Sequence, residues 1–252
     1  MNIICKYDRE MEQFLSEVTE YTIKNYTNEL DLSNLQEIEL LDKKTFLYET
    51  DGRSCAGGTK IIVTSRLYEL LPSLAISDLL GNNDFQMLVN TLYHEMGHTH
   101  DRKKMPCLYD IADRAEKREE YLPCYLWLEY FAEKRSCMTG LVDNREFCED
   151  FARSNWRANQ FNLQEASEKN FFYLQKAVAY FMARTQNPKE REYYFENMKN
   201  DLLIPFISEL DVEIKQLEAH ELFDDVVQLN PLYLIIDKYQ RKFKIRFSEF
   251  LL

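Results

Sequence analysis

Punctuation is lopsided in this chain, and that constrains its fold more than any other feature. Six glycines and six prolines serve 252 residues, and three of the glycines cluster at Gly52, Gly57 and Gly58. Glycine and proline are the residues that interrupt regular structure. Turns and strands therefore belong early, and the later chain is expected to be mostly helix. Met11, Phe14, Leu15, Val18 and Tyr21 fall at helical spacing within residues 8–29. Residues 35–41 alternate as a strand does, and Phe46 to Tyr48 suggests a second strand. The run Ile61-Ile62-Val63-Thr64, introduced by Lys60 after two glycines, is the clearest strand, because β-branched side chains suit a pleated surface.

Asp84 can cap a helix running to about Lys103, with Phe85, Leu88, Val89, Leu92 and Met96 on one apolar face. Residues 103–120 are highly charged and read as a loop or an exposed helix. Pro123 can start another helix that ends near Gly140. Beyond Asp143, helices are expected at about 144–161, 164–186, 189–218 and 231–248, punctuated by Pro188, Pro205 and Pro231. Pro205 either ends its helix or kinks it. The expected class is α+β and helix-rich: a small mixed sheet with helices over 1–143, then a helical C-terminal half over 144–252.

Composition narrows the function classes. Hydrophobic residues are 45% of the chain, enough to build a core. The net charge of −12 repels phosphate backbones, so no nucleic-acid partner is expected. The basic residues Lys238, Arg241, Lys242, Lys244 and Arg246 read as the solvated face of an amphipathic helix. No run approaches a membrane span, and the apolar start of MNIICKYDREMEQFL is too short for a signal peptide. A soluble cytoplasmic protein with no membrane partner is the expectation. The six cysteines form no C-x-x-C pair, so free thiols are expected and a thiolate zinc site is not.

Three of the four histidines lie within TLYHEMGHTHD, Thr91 to Asp101. His94-Glu95-Met96-Gly97-His98 is an H-E-x-x-H pattern. Residues four apart share one helix face, so His94 and His98 can bind one metal ion. Glu95 is then beside the ion, placed to take a proton from an activated water. A catalytic zinc needs a third protein ligand. The pattern that would put Gly at 101 and His or Asp at 104 is excluded by Asp101 and Lys104. A later glutamate is the other solution. Glu129 and Glu133, in the E-x-x-A-E segment Glu129 to Glu133, are one helical turn apart. One can bind the metal while the other accepts a ring N–H of a liganding histidine.

On these residues the chain resembles the gluzincins, the thermolysin-like zinc metallopeptidases, over about residues 58–140. The resemblance implies a zincin-like catalytic core and a Zn2+ cofactor. It implies that His94, His98 and Glu129 are the ligands, that Glu95 is the general base, and that Glu133 stands where the family usually has Asp. If the register differs, Glu133 is itself the ligand. It also implies that Lys60, Ile61, Ile62 and Val63 form an edge strand that pairs with an extended peptide.

His100 points to another face and reads as a surface or helix-end residue, and His220 sits in a charged segment that reads as solvated. Sixteen tyrosines leave any oxyanion donor unidentified; Tyr180, like Phe171, Phe172, Tyr173 and Phe181, reads as core. The expected function is a zinc metallopeptidase acting on a peptide or protein substrate, including the case of a regulatory protease with one intracellular target. The alternative is a non-catalytic zincin-fold module that binds a protein partner.

Overall fold

The early glycines do mark a sheet. A computed structural model of the chain describes residues 1–6, 8–42, 44, 51–64, 75–154, 167–198, 200–219 and 225–245. Strands β1 (Asn2–Cys5), β2 (Glu37–Leu41), β3 (Gly52–Cys55) and β4 (Lys60–Thr64) form one mixed sheet in the order β1-β2-β4-β3. The first three in that order are parallel, and β3 runs antiparallel to β4 at the edge. The expected β2 and β4 are present, while β1 and β3 are additions. The expected strand at Phe46 to Tyr48 lies outside the described residues. The β3–β4 connection is a tight turn over Ala56–Gly58, with φ of 50°, 67° and 80° at Ala56, Gly57 and Gly58. Three consecutive left-handed residues explain the two adjacent glycines, which adopt that conformation without a Cβ clash.

One expectation is corrected here. β4 is not an edge strand. Ile61 pairs with Ile38 of β2 on one side and with Ser54 of β3 on the other. Its backbone ladder is occupied on both sides, so Lys60, Ile61, Ile62 and Val63 cannot add a peptide strand. Among the described residues, the edge of the sheet beside β4 belongs to β3.

The chain divides into two compact units that do not follow chain order. The first comprises residues 1–104 and 135–142, the second 105–134 and 143–252. In the first, one face of the sheet is covered by helices. Ile38, Leu40, Ile61 and Val63 share a core with Phe14, Leu15 and Val18 of α1 (Arg9–Tyr26). Phe85, Leu88, Val89, Leu92 and Met96 join it from α3 (Asn83–Lys104), which follows the short α2 (Ile76–Leu79). The apolar stripe expected on α3 is thus buried. Its cap is Asn82, not Asp84: Asn82 Oδ1 accepts the Phe85 N–H at 3.1 Å. Asp84 lies in the first turn, where its charge suits the positive end of the helix.

The second unit is helical. It contains α4 (Pro106–Arg114), most of α5 (Arg118–Cys137), α6 (Asn144–Ser154), α7 (Glu168–Arg184), α8 (Pro188–Phe195), α9 (Leu203–Leu217) and α10 (Asn230–Lys242). The charged stretch 103–120 is not wholly exposed, since Leu108 and Tyr109 of α4 are buried. Helix α5 begins before Pro123, which lies inside it. The single helix expected over 189–218 is two, and Pro205 sits in the first turn of α9, where its missing N–H costs no hydrogen bond. All six cysteines are free thiols. Among the described residues no helix is long and apolar enough to cross a membrane.

Candidate metal centre

From Leu92 to Asp101, every one of ten consecutive residues is buried. A helix buried all round is normally apolar all round. This stretch is instead polar, carrying His94, Glu95, His98, Thr99, His100 and Asp101. Burying such groups costs free energy unless each finds a partner, so what they face defines the site.

His94 and His98 face one another. Their Nε2 atoms are 3.1 Å apart, with ring centroids at 4.8 Å and planes at 79°. Zinc binds imidazole nitrogen at ~2.0–2.1 Å, so two nitrogens at this separation would subtend an angle of roughly 100°, close to tetrahedral. Glu129 of α5 completes the set: ligand atoms of His94, His98 and Glu129 all lie within 4.8 Å of one another, and all three residues are buried. Two imidazoles and one carboxylate are a donor set that fits a divalent metal, zinc among the first choices.

The carboxylate is held from behind. Glu129 Oε2 accepts from the Tyr180 hydroxyl at 2.9 Å and is ion-paired with Lys176 Nζ at 3.1 Å. Burial, reinforced by the charge of Glu129, pushes the Tyr180 hydroxyl well above its usual pKa, so it stays protonated and donates. Glu133, one turn on, is engaged by Arg184, whose Nε and Nη2 both lie 2.6 Å from Oε1. Lys176, Tyr180 and Arg184 repeat every four residues along α7 and match the four-residue step from Glu129 to Glu133. Tyr180 is therefore more than core. The signal that could have found it is this polar stripe at helical spacing on an otherwise apolar helix.

His100 and Asp101 have partners of their own, whereas the buried Thr99 Oγ1 has no hydrogen-bond partner among the described residues. His100 is buried, not at the surface. Its Nδ1 accepts the Asp31 N–H at 2.7 Å, and burial pushes the imidazole pKa below its ordinary value. It ties down a loop and is not among the three grouped metal-ligand candidates. Asp101 binds Arg135 through both oxygens, at 2.5 and 2.7 Å. Burial pushes the Asp101 carboxyl up, against the pull of Arg135. Gly97 leaves room for the guanidinium where it stands: a Cβ there would lie 2.4 Å from Arg135 Nη1, which would have to shift.

Lys60 is spoken for by Glu37 and Glu39, at 2.5 and 2.6 Å, and these contacts raise its pKa. His220 lies outside the described residues. No protein-family model, curated protein or solved structure matches the chain.

Proposed function

We propose that this protein is a zinc-dependent metallopeptidase with a zincin-like core of the gluzincin type. The observation that carries the reading is the buried His94, His98, Glu129 group, with Glu95 next to the first histidine on the same helix. When bound, zinc supplies a Lewis acid that polarises a carbonyl oxygen and makes water more acidic. His94 and His98 would hold it through Nε2, and Glu129 through a carboxylate oxygen. Tyr180 and Lys176 orient that carboxylate through its Oε2. Glu95 holds a proton at its carboxylate between attack and departure: it takes one from the attacking water and gives one to the leaving amine. Glu133, fixed by Arg184, supports the helix that carries Glu129. An extended peptide substrate would pair with β3, the strand at the sheet edge beside β4.

The test is metal content together with turnover. The purified chain should bind about one zinc and cleave dye-labelled casein. His94→Ala should lose the zinc. Glu95→Gln should keep it and lose cleavage. Full cleavage by the Glu95→Gln protein would refute the mechanism.

One observation favours a second reading. His94, Glu95, His98 and Glu129 are only 6–8% exposed. Such burial suits a structural metal site in a protein-binding module. A purely structural metal needs no general base, so the two readings separate on whether the zinc-loaded parent cleaves any peptide at all.

A further inference from the structure

Gly52 stands where β3 meets α3. A Cβ built on it would lie 2.9 Å from Thr91 Cγ2, 3.0 Å from Glu95 Cγ and 3.1 Å from Glu95 Oε1. Ordinary carbon–carbon contact is about 3.5–4.0 Å, so all three atoms occupy space that any side chain at 52 would need. Thr91 and Glu95 are four residues apart and share the face of α3 turned to this strand. Gly57, Gly58 and Gly140 have positive φ, whereas Gly52 does not. Backbone conformation therefore does not call for glycine at 52. Glycine inside a strand weakens it and marks a close approach by another group. The approaching group here is the side chain of Glu95.

We infer that Gly52 is a positioning residue for Glu95: its missing side chain is the slot in which the Glu95 stem and carboxylate lie against the edge strand. The inference rests on the reading of Glu95 as the general base. A methyl group at 52 would displace the carboxylate while leaving His94, His98 and Glu129 untouched. Metal binding and turnover should then part company.

The experiment is a double-mutant cycle between positions 52 and 95, made on a Thr91→Ser background. That background removes the competing Cγ2 and leaves a hydroxyl for the Met87 carbonyl. Gly52→Ala should retain its zinc and cut casein turnover about tenfold, less than the roughly hundredfold that a 1 Å displacement can cost, because the Glu95 stem and carboxylate must give by only a few tenths of an ångström. A second readout needs no activity. Gly52→Ala should lower the urea midpoint, and adding Glu95→Ala, which removes both Cγ and Oε1, should recover most of the drop. Folding of Gly52→Ala only in the presence of Glu95→Ala would support the inference in the same way. An equal drop in midpoint with and without Glu95→Ala overturns it. A parent that binds zinc and cleaves nothing overturns the proposed function instead, and the midpoints still decide the steric claim.

Discussion

The two units bury themselves with different chemistry. The first is aliphatic: Leu15, Val18, Ile38, Leu40, Ile61, Val63, Leu88 and Val89 fill the space between sheet and helices. The second adds large rings to its aliphatic core: Trp127, Phe151, Phe171, Phe181, Phe206 and Tyr239 pack among leucines and isoleucines between helices. β-Branched side chains suit the pleated surface of a sheet, while rings bring large buried area to helix contacts. The buried polar groups differ more. In the second unit they pair opposite with opposite: Glu133 with Arg184, Glu129 with Lys176, Arg191 with Asp211. In the first, Asp101 and Arg135 follow that rule, but His94 and His98 turn like toward like. Charge pairing explains the former groups. A shared ion, as proposed above, would account for the latter.

The sharpest way to break that comparison is at Glu95. Glu95→Gln keeps shape and removes the carboxylate proposed as the base. Turnover of casein should fall about a thousandfold, the middle of the range for general acid–base catalysis, with zinc content unchanged. If metal and turnover fall together, Glu95 is part of the scaffold, and the first unit holds its polar residues for stability as the second does.

Next in size is Arg135→Met. It strands the Asp101 carboxylate, which is 1% exposed. Removing one partner of a buried pair costs about 3–5 kcal/mol. The urea midpoint should drop accordingly, and adding Asp101→Asn should return much of the loss. The opposed pulls on Asp101 give a sign to check. Its folded pKa is raised by burial, so in the Arg135→Met protein stability should be greater at low pH and be lost as pH rises through that raised value.

A smaller effect is expected at Tyr180. Tyr180→Phe removes the hydroxyl that holds Glu129 Oε2 and leaves the ring. Losing an outer partner of a metal ligand typically costs about 10- to 100-fold in metal affinity. Competition with a chelator should show that loss while the urea midpoint of the metal-free chain stays nearly unchanged. An unaltered zinc affinity would mean that Lys176 alone positions the carboxylate.

What could be read without coordinates divides along physical lines. His94, His98 and Glu129 stood out because histidine is rare here and a four-residue step has a direct geometric meaning. β4 stood out because four β-branched residues follow one another. β1 and β3 did not. They are four residues each, and Gly52-Arg53-Ser54-Cys55 has no alternation, so its strand identity comes from pairing with β4 and not from its own side chains. The placing of β4 at the edge failed for the same reason, since edge or interior is a property of neighbours. Burial of the polar face of α3 was equally hidden: a helix's own periodicity reports one face and says nothing of what covers the other. Tyr180 was one tyrosine among sixteen, and its partner is 51 residues away.

The mildest test asks whether opposite-charge pairing in the second unit is as consequential as in the first. Asp211 accepts from Lys215 at 2.6 Å and is ion-paired with Arg191. Burial raises its pKa, but the hydrogen bonds from Lys215 and Arg191 and their charges outweigh it, and the net shift is downward from 3.8. A lowered folded pKa means the carboxylate contributes stability that is fully present above about 3.8 and is lost as pH falls through the lower, folded value. Asp211→Asn should therefore cost about 1–2 kcal/mol at neutral pH, less than Arg135→Met. Arg191 keeps the Thr185 carbonyl at 2.7 Å and the Met182 carbonyl at 3.3 Å, so it is not stranded as Asp101 would be. Urea midpoints of the parent and Asp211→Asn should converge as the pH is lowered below 3.8. A gap that persists there would assign the cost to packing, and the contrast between the two units would then lie in their histidines alone.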